Sequence, residues 1–181
     1  MAVTASGILS LPLNHLRTLL ATCEAFQSWI GVADEDLGDP ASVTAAAARI
    51  HLVALNEDHD DAKATRAARR PLAVIGFDTG LDGAEDAANS TYWRHSGPLL
   101  ATFEQVVGED EADSDADAIL DLTNKIGAIL EEVESINGKN ALLKVTRWSL
   151  IDGPGRMPPE DIEKGQLDLA ALRVRITWDE I

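Results

Sequence analysis

The side chains that could hold a metal ion lie close together in one short part of the chain. His59, Asp60 and Asp61 are consecutive, and His51 precedes them on a separate, mainly apolar run. Imidazole and carboxylate groups are ligands that divalent metals take in proteins. The segment around His59 is polar and has no second rigid element beside it, so a solvated acidic loop explains it better. We predict no metal site, and a small metal-dependent enzyme that uses His51 or His59 remains an alternative.

A second acidic segment imitates the opening of a calcium-binding loop. Asp113, Asp115 and Asp117 alternate as in an EF-hand. Ala118 stands where that loop needs glycine, and Asn124 stands where it needs a bidentate glutamate. A helix N-terminus, whose dipole attracts acidic side chains, accounts for the same run without calcium.

The patterns of nucleophilic catalysis and of nucleotide binding are missing from the sequence. His95 has no triad partners nearby, and Ser149 lacks the flanking glycines of a nucleophile elbow. Residues 76–83 do not match the dinucleotide fingerprint, and residues 153–156 are not followed by the lysine and hydroxyl of a phosphate loop. We therefore predict a protein that is not an enzyme, with no catalytic residue and no cofactor.

The net charge of the chain disfavours some classes of binding partner. Its 181 residues include 31 acidic and 15 basic side chains, a formal charge of −16. A field of that sign repels free nucleic acid and anionic membranes, which disfavours a DNA-reading protein. Surface acid that keeps the protein soluble is the simple explanation. A surface that must not adhere to passing polyanions is the more specific one.

Cysteine usage and apolar runs indicate where the protein works. Cys23 is the only cysteine and lies on an apolar helical stripe, so we expect a buried packing residue with no disulfide. The first residues lack the basic segment of a signal peptide. No apolar run approaches the ~20 residues that cross a bilayer. These features predict a protein made and used in cytoplasm.

Hydrophobic spacing predicts two main helices. The first covers residues 13–30, with Gly31 as the residue that follows its C-cap. The second begins after Ser114, the predicted N-cap, and ends at residues 137–138. An alanine-rich segment at residues 42–48 is compatible with a short helix between them.

Alternating or short apolar runs predict strands at residues 49–55, 71–77, 97–107, 142–151 and 172–178. Residues 1–12 are predicted to be an irregular arm, and residues 34–40, 57–61, 78–96 and 152–159 long contact loops. The whole is a single α+β domain over residues 1–181. We predict a mainly antiparallel twisted sheet of about four to five strands flanked by two main helices.

Several local phrases resemble small neck proteins of long-tailed bacteriophages, particularly the tail-terminator group. The phrases are a helix that ends in EAFQSW (24–29), then ARIH (48–51), RPLAVI (70–75) and SGPLLATFE (96–104). A long helix, a strand, a loop and a final strand complete the pattern. The chain is somewhat long for the group, and the excess lies in the predicted loops.

The resemblance implies an α+β subunit that assembles into a ring, typically a hexamer. Such a ring caps the finished tail tube, stops its polymerisation and offers a surface to the head connector. The implied partners are further copies of the chain, the tail-tube protein and the head connector. Double-stranded DNA passes through the ring without specific binding, and acid facing the channel would keep it from sticking. The implied location is the virion, after assembly in the host cytoplasm.

Charged residues are the predicted contacts between subunits or with partners. Five arginines would meet acidic loops of a neighbouring molecule, although two of them, on the last strand, are explained more simply as the solvent side of an edge strand. The predicted interface residues are Arg66, Arg69, Arg70, Arg173, Arg175, Glu109, Asp110 and Glu111. Three other readings stay open: another head–tail neck or completion protein, a monomeric acidic assembly chaperone, and the metal-dependent enzyme.

Overall fold

The computed structural model describes residues 10–52, 69–78, 82–85, 93–106, 115–137, 143–157 and 169–180. This part of the chain contains four α-helices and six strands. The helices are α1 (Ser10–Thr22), α2 (Glu24–Trp29), α3 (Pro40–Ala47) and α4 (Asp115–Asn137). The strands are β1 (Ile50–Leu52), β2 (Leu72–Phe77), β3 (Asp82–Glu85), β4 (Trp93–Val106), β5 (Leu143–Met157) and β6 (Leu169–Glu180).

All six strands belong to one sheet in the order β1-β2-β4-β6-β5. β1 runs parallel to β2, and every other pairing is antiparallel. The short β3 pairs with the first residues of β4. Ser96 of β4 pairs with β3 on one side and with β6 on the other, so β3 lies on the same edge of β4 as β2. The predicted α+β fold with a mainly antiparallel sheet is confirmed.

One face of the sheet carries the helices. α1 packs on β1 and β2, and α4 packs on β5 and β6. Since side chains alternate along a strand, every second residue of β2, β4 and β6 points into this layer. The sheet contributes Ile50, Ala73, Ile75, Leu99, Ala101, Phe103, Leu172, Val174 and Ile176 to the core. The helices contribute Leu16, Leu19, Leu20, Cys23, Phe26, Trp29, Leu122, Ile126, Ile129, Leu130 and Val133.

The prediction of one helix over residues 13–30 is wrong, because the chain breaks at Cys23. Cys23 has an extended backbone with ψ 117°, and its carbonyl accepts the first hydrogen bond of α2 from Gln27. Two backbone N–H groups at the start of α2, those of Glu24 and Ala25, donate to the carboxylate of Glu132 on α4 at 2.7 and 2.8 Å. A side chain from a distant helix therefore caps this end.

α2 ends where the sequence predicts, just before Gly31. Gly31 has φ +93°, the left-handed conformation that glycine adopts at little cost. Its N–H donates to the carbonyl of Ser28, and the N–H of Val32 donates to that of Gln27. This pair of bonds is the Schellman motif, and the prediction for Gly31 is confirmed.

Two predicted loops are wrong in part. Within residues 78–96 lie β3 and the first residues of β4, which a segment of Asp, Gly, Ala and Glu does not reveal by alternation. Within residues 152–159, β5 continues to Met157 across glycine and proline. β5 is the last strand in the sheet order and has three register shifts, and bulges and end strands are where such residues fit.

Other boundaries differ in smaller ways. The predicted arm at residues 1–12 is too long, since α1 begins at Ser10 and tolerates Pro12 in its first turn. Residues 34–39 are irregular apart from one 3₁₀ turn at Asp34–Asp36. The helix predicted over 114–136 and the final strand are confirmed. The loop at 57–61 and the N-cap Ser114 lie outside the described residues.

Candidate interaction surface

The sheet face opposite α1 and α4, here called the back face, carries the charged residues that the sequence singled out. Strand register places Leu72 beside Glu104 and Val74 beside Thr102 on this face, and Thr102 beside Arg173. Leu72 and Val74 are buried on this face, and Ala73 and Ile75 are buried on the helix side of the same strand. β2 is therefore covered on both faces, and the back face becomes polar towards β6.

Arg70 and Glu104 form a mostly buried ion pair on the back face. Nε of Arg70 donates to Oε2 of Glu104 at 3.1 Å, with side-chain exposures of 16% and 2%. A carboxylate that is removed from water needs such a partner, because burying it unpaired costs roughly several kcal/mol of desolvation free energy. Arg70 therefore serves the fold, which limits its use as a contact residue.

Removing the Arg70 side chain is expected to destabilise the protein more than removing that of Arg175. Arg70→Ala should lower the free energy of unfolding by about 1–2 kcal/mol, because Glu104 loses a charge-assisted hydrogen bond but keeps further interactions. Arg175→Ala should change it by less than about 0.5 kcal/mol, since that side chain is much more exposed. Urea unfolding of both variants measures the difference, and equal losses would contradict it.

Arg175 makes the second ion pair of the back face. Its Nε donates to Oδ2 of Asp78, with side-chain exposures of 46% and 18%. Arg173 lies two residues earlier on β6, on the same face and half-buried. We call Arg70, Arg173 and Arg175 the arginine line. In both ion pairs the acid is more buried than the arginine, so the guanidinium groups are the outermost charges.

The structure brings three of the predicted interface residues together and leaves the others apart. Arg69 is exposed, and its carbonyl accepts a hydrogen bond from Arg49. Arg66, Glu109, Asp110 and Glu111 lie outside the described residues. Glu104 and Asp78, which pair with Arg70 and Arg175, were not among the residues predicted from the sequence. The only signal was an acid within an otherwise apolar strand at Glu104.

The candidate metal ligands are not assembled within the part of the chain that the structure describes. His51 lies on β1 in register with Val74, while His59, Asp60 and Asp61 lie outside the described residues. No group of three histidine, cysteine, aspartate or glutamate side chains among the described residues could hold a metal ion.

Cys23 is a packing residue, as predicted. It is fully buried at the junction of α1 and α2, and its thiol lies 3.8 Å from the carbonyl of Ile129. Burial, with a smaller contribution from the nearby Glu132 carboxylate, raises the pKa of the Cys23 thiol to about 12. The thiolate, which is the reactive form, is therefore scarce at neutral pH.

Native Cys23 should react with a thiol reagent at pH 8 on the order of a thousandfold more slowly than in urea, since it must first be exposed by unfolding. A Ser135→Cys variant provides an internal control, because Ser135 is exposed on α4. Two phases of equal amplitude, one fast and one slow, are expected.

The raised pKa of Cys23 also makes the stability of the fold depend on pH. Between pH 9 and pH 12 the thiol ionises in the unfolded chain but stays protonated in the folded one, so stability is lost as pH rises from about 9 towards about 12.

Comparison with known proteins adds no identity to this geometry. No protein-family model matches the chain, and no protein of established function matches it in sequence. None of the helices in the described ranges combines the length and apolar character that crossing a membrane requires. The fold class is α+β, and function has to be argued from the surfaces of that fold.

Proposed function

We propose that this protein is a structural component of the neck of a long-tailed bacteriophage, most specifically a tail terminator. It acts without catalysis, by assembling into a ring that closes the tail tube and receives the head connector. The same proposal places it in the virion, with double-stranded DNA passing through the ring.

The fold is the observation that carries the proposal. The resemblance to tail terminators implies an α+β fold with a twisted sheet flanked by helices, and this chain has a mainly antiparallel sheet with helices packed on it. In this arrangement the ends of the sheet and the part of the back face around the exposed Arg175 are surfaces that neighbours could contact. The formal charge of −16 supports the same role, because a lumen lined with acid repels the DNA that must slide through it.

The end strand β5 supports assembly through side chains. Leu150 and Ile151 are adjacent on this strand, and both are exposed large apolar residues. An end strand of this kind is a natural contact surface. The three register shifts of β5 bend it and interrupt a continuous hydrogen-bond ladder. We therefore expect a neighbour to pack on its side chains instead of adding a strand.

The mass of the purified protein in solution, measured across a concentration series, tests the proposal. A ring of roughly six copies is expected, either alone or after addition of the tail-tube protein of the same phage, and electron microscopy should resolve it. A ring that binds the head connector but not the tube would favour another neck component. A chain that stays monomeric with both would overturn the proposal.

A second candidate, an acidic assembly chaperone, is favoured by the same charge of −16. It would be monomeric at high concentration and would bind a basic partner with an affinity that falls steeply with salt. The concentration series separates the two, because only the ring reading predicts self-association.

A further inference from the structure

We infer that copies of this chain associate side by side through two unlike apolar surfaces at opposite ends of the sheet. The β5 patch of one copy consists of Leu120, Leu150 and Ile151, and the β1 patch of the next copy consists of Leu52 and Phe77. This inference rests on the proposed function, because it names the contact by which the ring closes.

The two patches contain all the large apolar side chains that are exposed in the described part of the chain. Leu52 lies on β1 and Phe77 at the end of β2, whereas Leu150 and Ile151 lie on β5. The sheet order places β1 and β5 at its two ends. Apolar residues scattered singly over a surface need no explanation, but their concentration at two opposite ends indicates two contact surfaces.

Strand register shows how β5 builds its patch. Leu150 lies opposite Val174, which belongs to the core, so Leu150 points to the helix side of the sheet. It is nevertheless 51% exposed, which means that α4 leaves it uncovered. Ile151 follows at a register shift, where β5 bends.

The outer flank of α4 extends the β5 patch. Glu132 marks the inner flank, since it caps α2, which packs on β4 through Trp29. At 3.6 residues per turn, Leu120 and Gly127 lie about 120° and 140° from Glu132 around the helix, beyond the buried Ile126. Because α4 packs on β5 and β6, this flank faces the β5 end. It is open there, since a Cβ added at Gly127 would meet no atom within 4 Å.

The β1 patch faces the same way as the β5 patch. Leu52 lies opposite Ile75, a core residue, and Phe77 is two residues beyond Ile75 on the same strand. Both side chains therefore point to the helix side. A neighbour placed beside the sheet, with its helices on the same side, brings its β1 patch against the β5 patch.

Charge selects a second copy as the occupant. The strand segments IHL (50–52), LAVIGF (72–77) and WSLI (148–151) contain no acidic or basic residue, although the chain carries a charge of −16. A basic partner would be attracted to acidic surface, such as that of residues 34–39. A second copy carries the same −16, so repulsion is least where both contacting surfaces are uncharged. Each copy also brings the apolar surface that covers the other patch.

The positions of the two patches decide the symmetry of the contact. They lie at opposite ends of one sheet, so they cannot cover each other within one molecule. A contact between two unlike surfaces is heterologous, and it generates a ring when the rotation closes and a filament when it does not.

Two variants each place a charge in one patch and leave the other patch intact. They are Leu150→Glu and Leu52→Glu. Ser135→Glu adds the same charge at an exposed position of α4 outside both patches, and Leu150→Met keeps the β5 patch apolar. Circular dichroism and urea unfolding check the fold of each variant. Sedimentation then measures its mass across a concentration series, alone and with tail-tube protein.

Each glutamate in a patch should weaken self-association at least about tenfold, while Ser135→Glu and Leu150→Met assemble as the wild type does. An equimolar mixture of Leu150→Glu and Leu52→Glu should stop at a one-to-one dimer, because only one pair of intact patches can then meet. Added salt should strengthen wild-type association, since it screens the repulsion between copies. If one patch variant fails to fold, the other still decides the question.

The outcomes separate the inference from the function on which it rests. Rings that persist in both patch variants would overturn the contact and leave the terminator proposal standing. Loss of assembly in Leu150→Glu alone would mean that two β5 patches pair with each other, which overturns the side-by-side contact. Assemblies that both variants abolish, but that bind neither tube nor connector, would support the contact and contradict the terminator. Wild-type protein that stays monomeric, with and without tail-tube protein, would overturn both.

Discussion

Replacing Phe103 with alanine is expected to lower the free energy of unfolding by about 3–5 kcal/mol, the largest effect of any single change considered for this chain. Phe103 lies on β4 with no exposed surface and points into the layer between sheet and helices. The loss combines the transfer of a large apolar side chain with the cavity that rigid neighbours leave unfilled.

The neighbours of Phe103 explain why the cavity should stay open. Its ring lies 5.8 Å from that of Trp29 in an edge-on arrangement, and Trp29 lies 5.6 Å from Phe26. Trp29 is also held by its Nε1, which donates to Oε1 of Gln105 at 3.1 Å. These contacts fix α2 against β4, so the indole cannot move into the vacant space without losing its hydrogen bond.

Urea unfolding measures the loss, with Leu120→Ala as the control. Leu120 is exposed on the solvent side of α4, where a shorter side chain and the helix preference of alanine should leave stability within about 0.5 kcal/mol of wild type. A loss below about 1.5 kcal/mol for Phe103→Ala would contradict the rigid three-ring cluster.

Local periodicity predicted the parts of the fold that depend on it. The stripe from Leu16 to Phe26 is buried, and β6 alternates between core residues and arginines as its sequence indicates. Where structure depends on a distant partner, the prediction fails. β3 has no apolar alternation and exists because β4 extends to pair with it. The helix break at Cys23 is invisible locally, since the apolar spacing continues through it.

The candidate interaction surface was likewise predicted only where it depends on local sequence. Alternation placed Arg173 and Arg175 on one side of a strand, which the structure bears out. The ion-pair partners of the arginines could not be predicted from local sequence, because Asp78 is 97 residues from Arg175 and Glu104 is 34 residues from Arg70. One consequence concerns Arg70, which the sequence groups with the interface arginines. Reversing its charge would disturb folding, because its partner Glu104 is buried, whereas the more exposed Arg175 tolerates such a change better.

Glu132→Ala is expected to cost about 2–3 kcal/mol, although its side chain is only half-buried. The carboxylate accepts from the backbone N–H groups of Glu24 and Ala25, and its negative charge meets the positive end of the α2 dipole. α2 has only six residues, too short to be stable without tertiary support. Removing this cap from a distant helix should therefore loosen all of α2.

Two companion variants separate capping from general effects on α4. Glu131→Ala makes the same substitution at the neighbouring exposed position and should change stability by less than about 0.5 kcal/mol. Glu132→Gln keeps one oxygen acceptor but loses the charge and the second acceptor, so an intermediate cost is expected. Equal losses for Glu131→Ala and Glu132→Ala would contradict the cap.

The double variant Glu132→Ala, Phe103→Ala tests whether the cap and the aromatic cluster act on the same element. α2 carries both Phe26 and Trp29, so loosening its first turn already weakens the packing that Phe103 completes. The two losses should then fall short of their sum by about 0.5 kcal/mol or more, as for sites that share a structural unit. Strict additivity would mean that α2 stays in place without its cap. In that case the aromatic contacts alone, and not Glu132, fix the helix on the sheet.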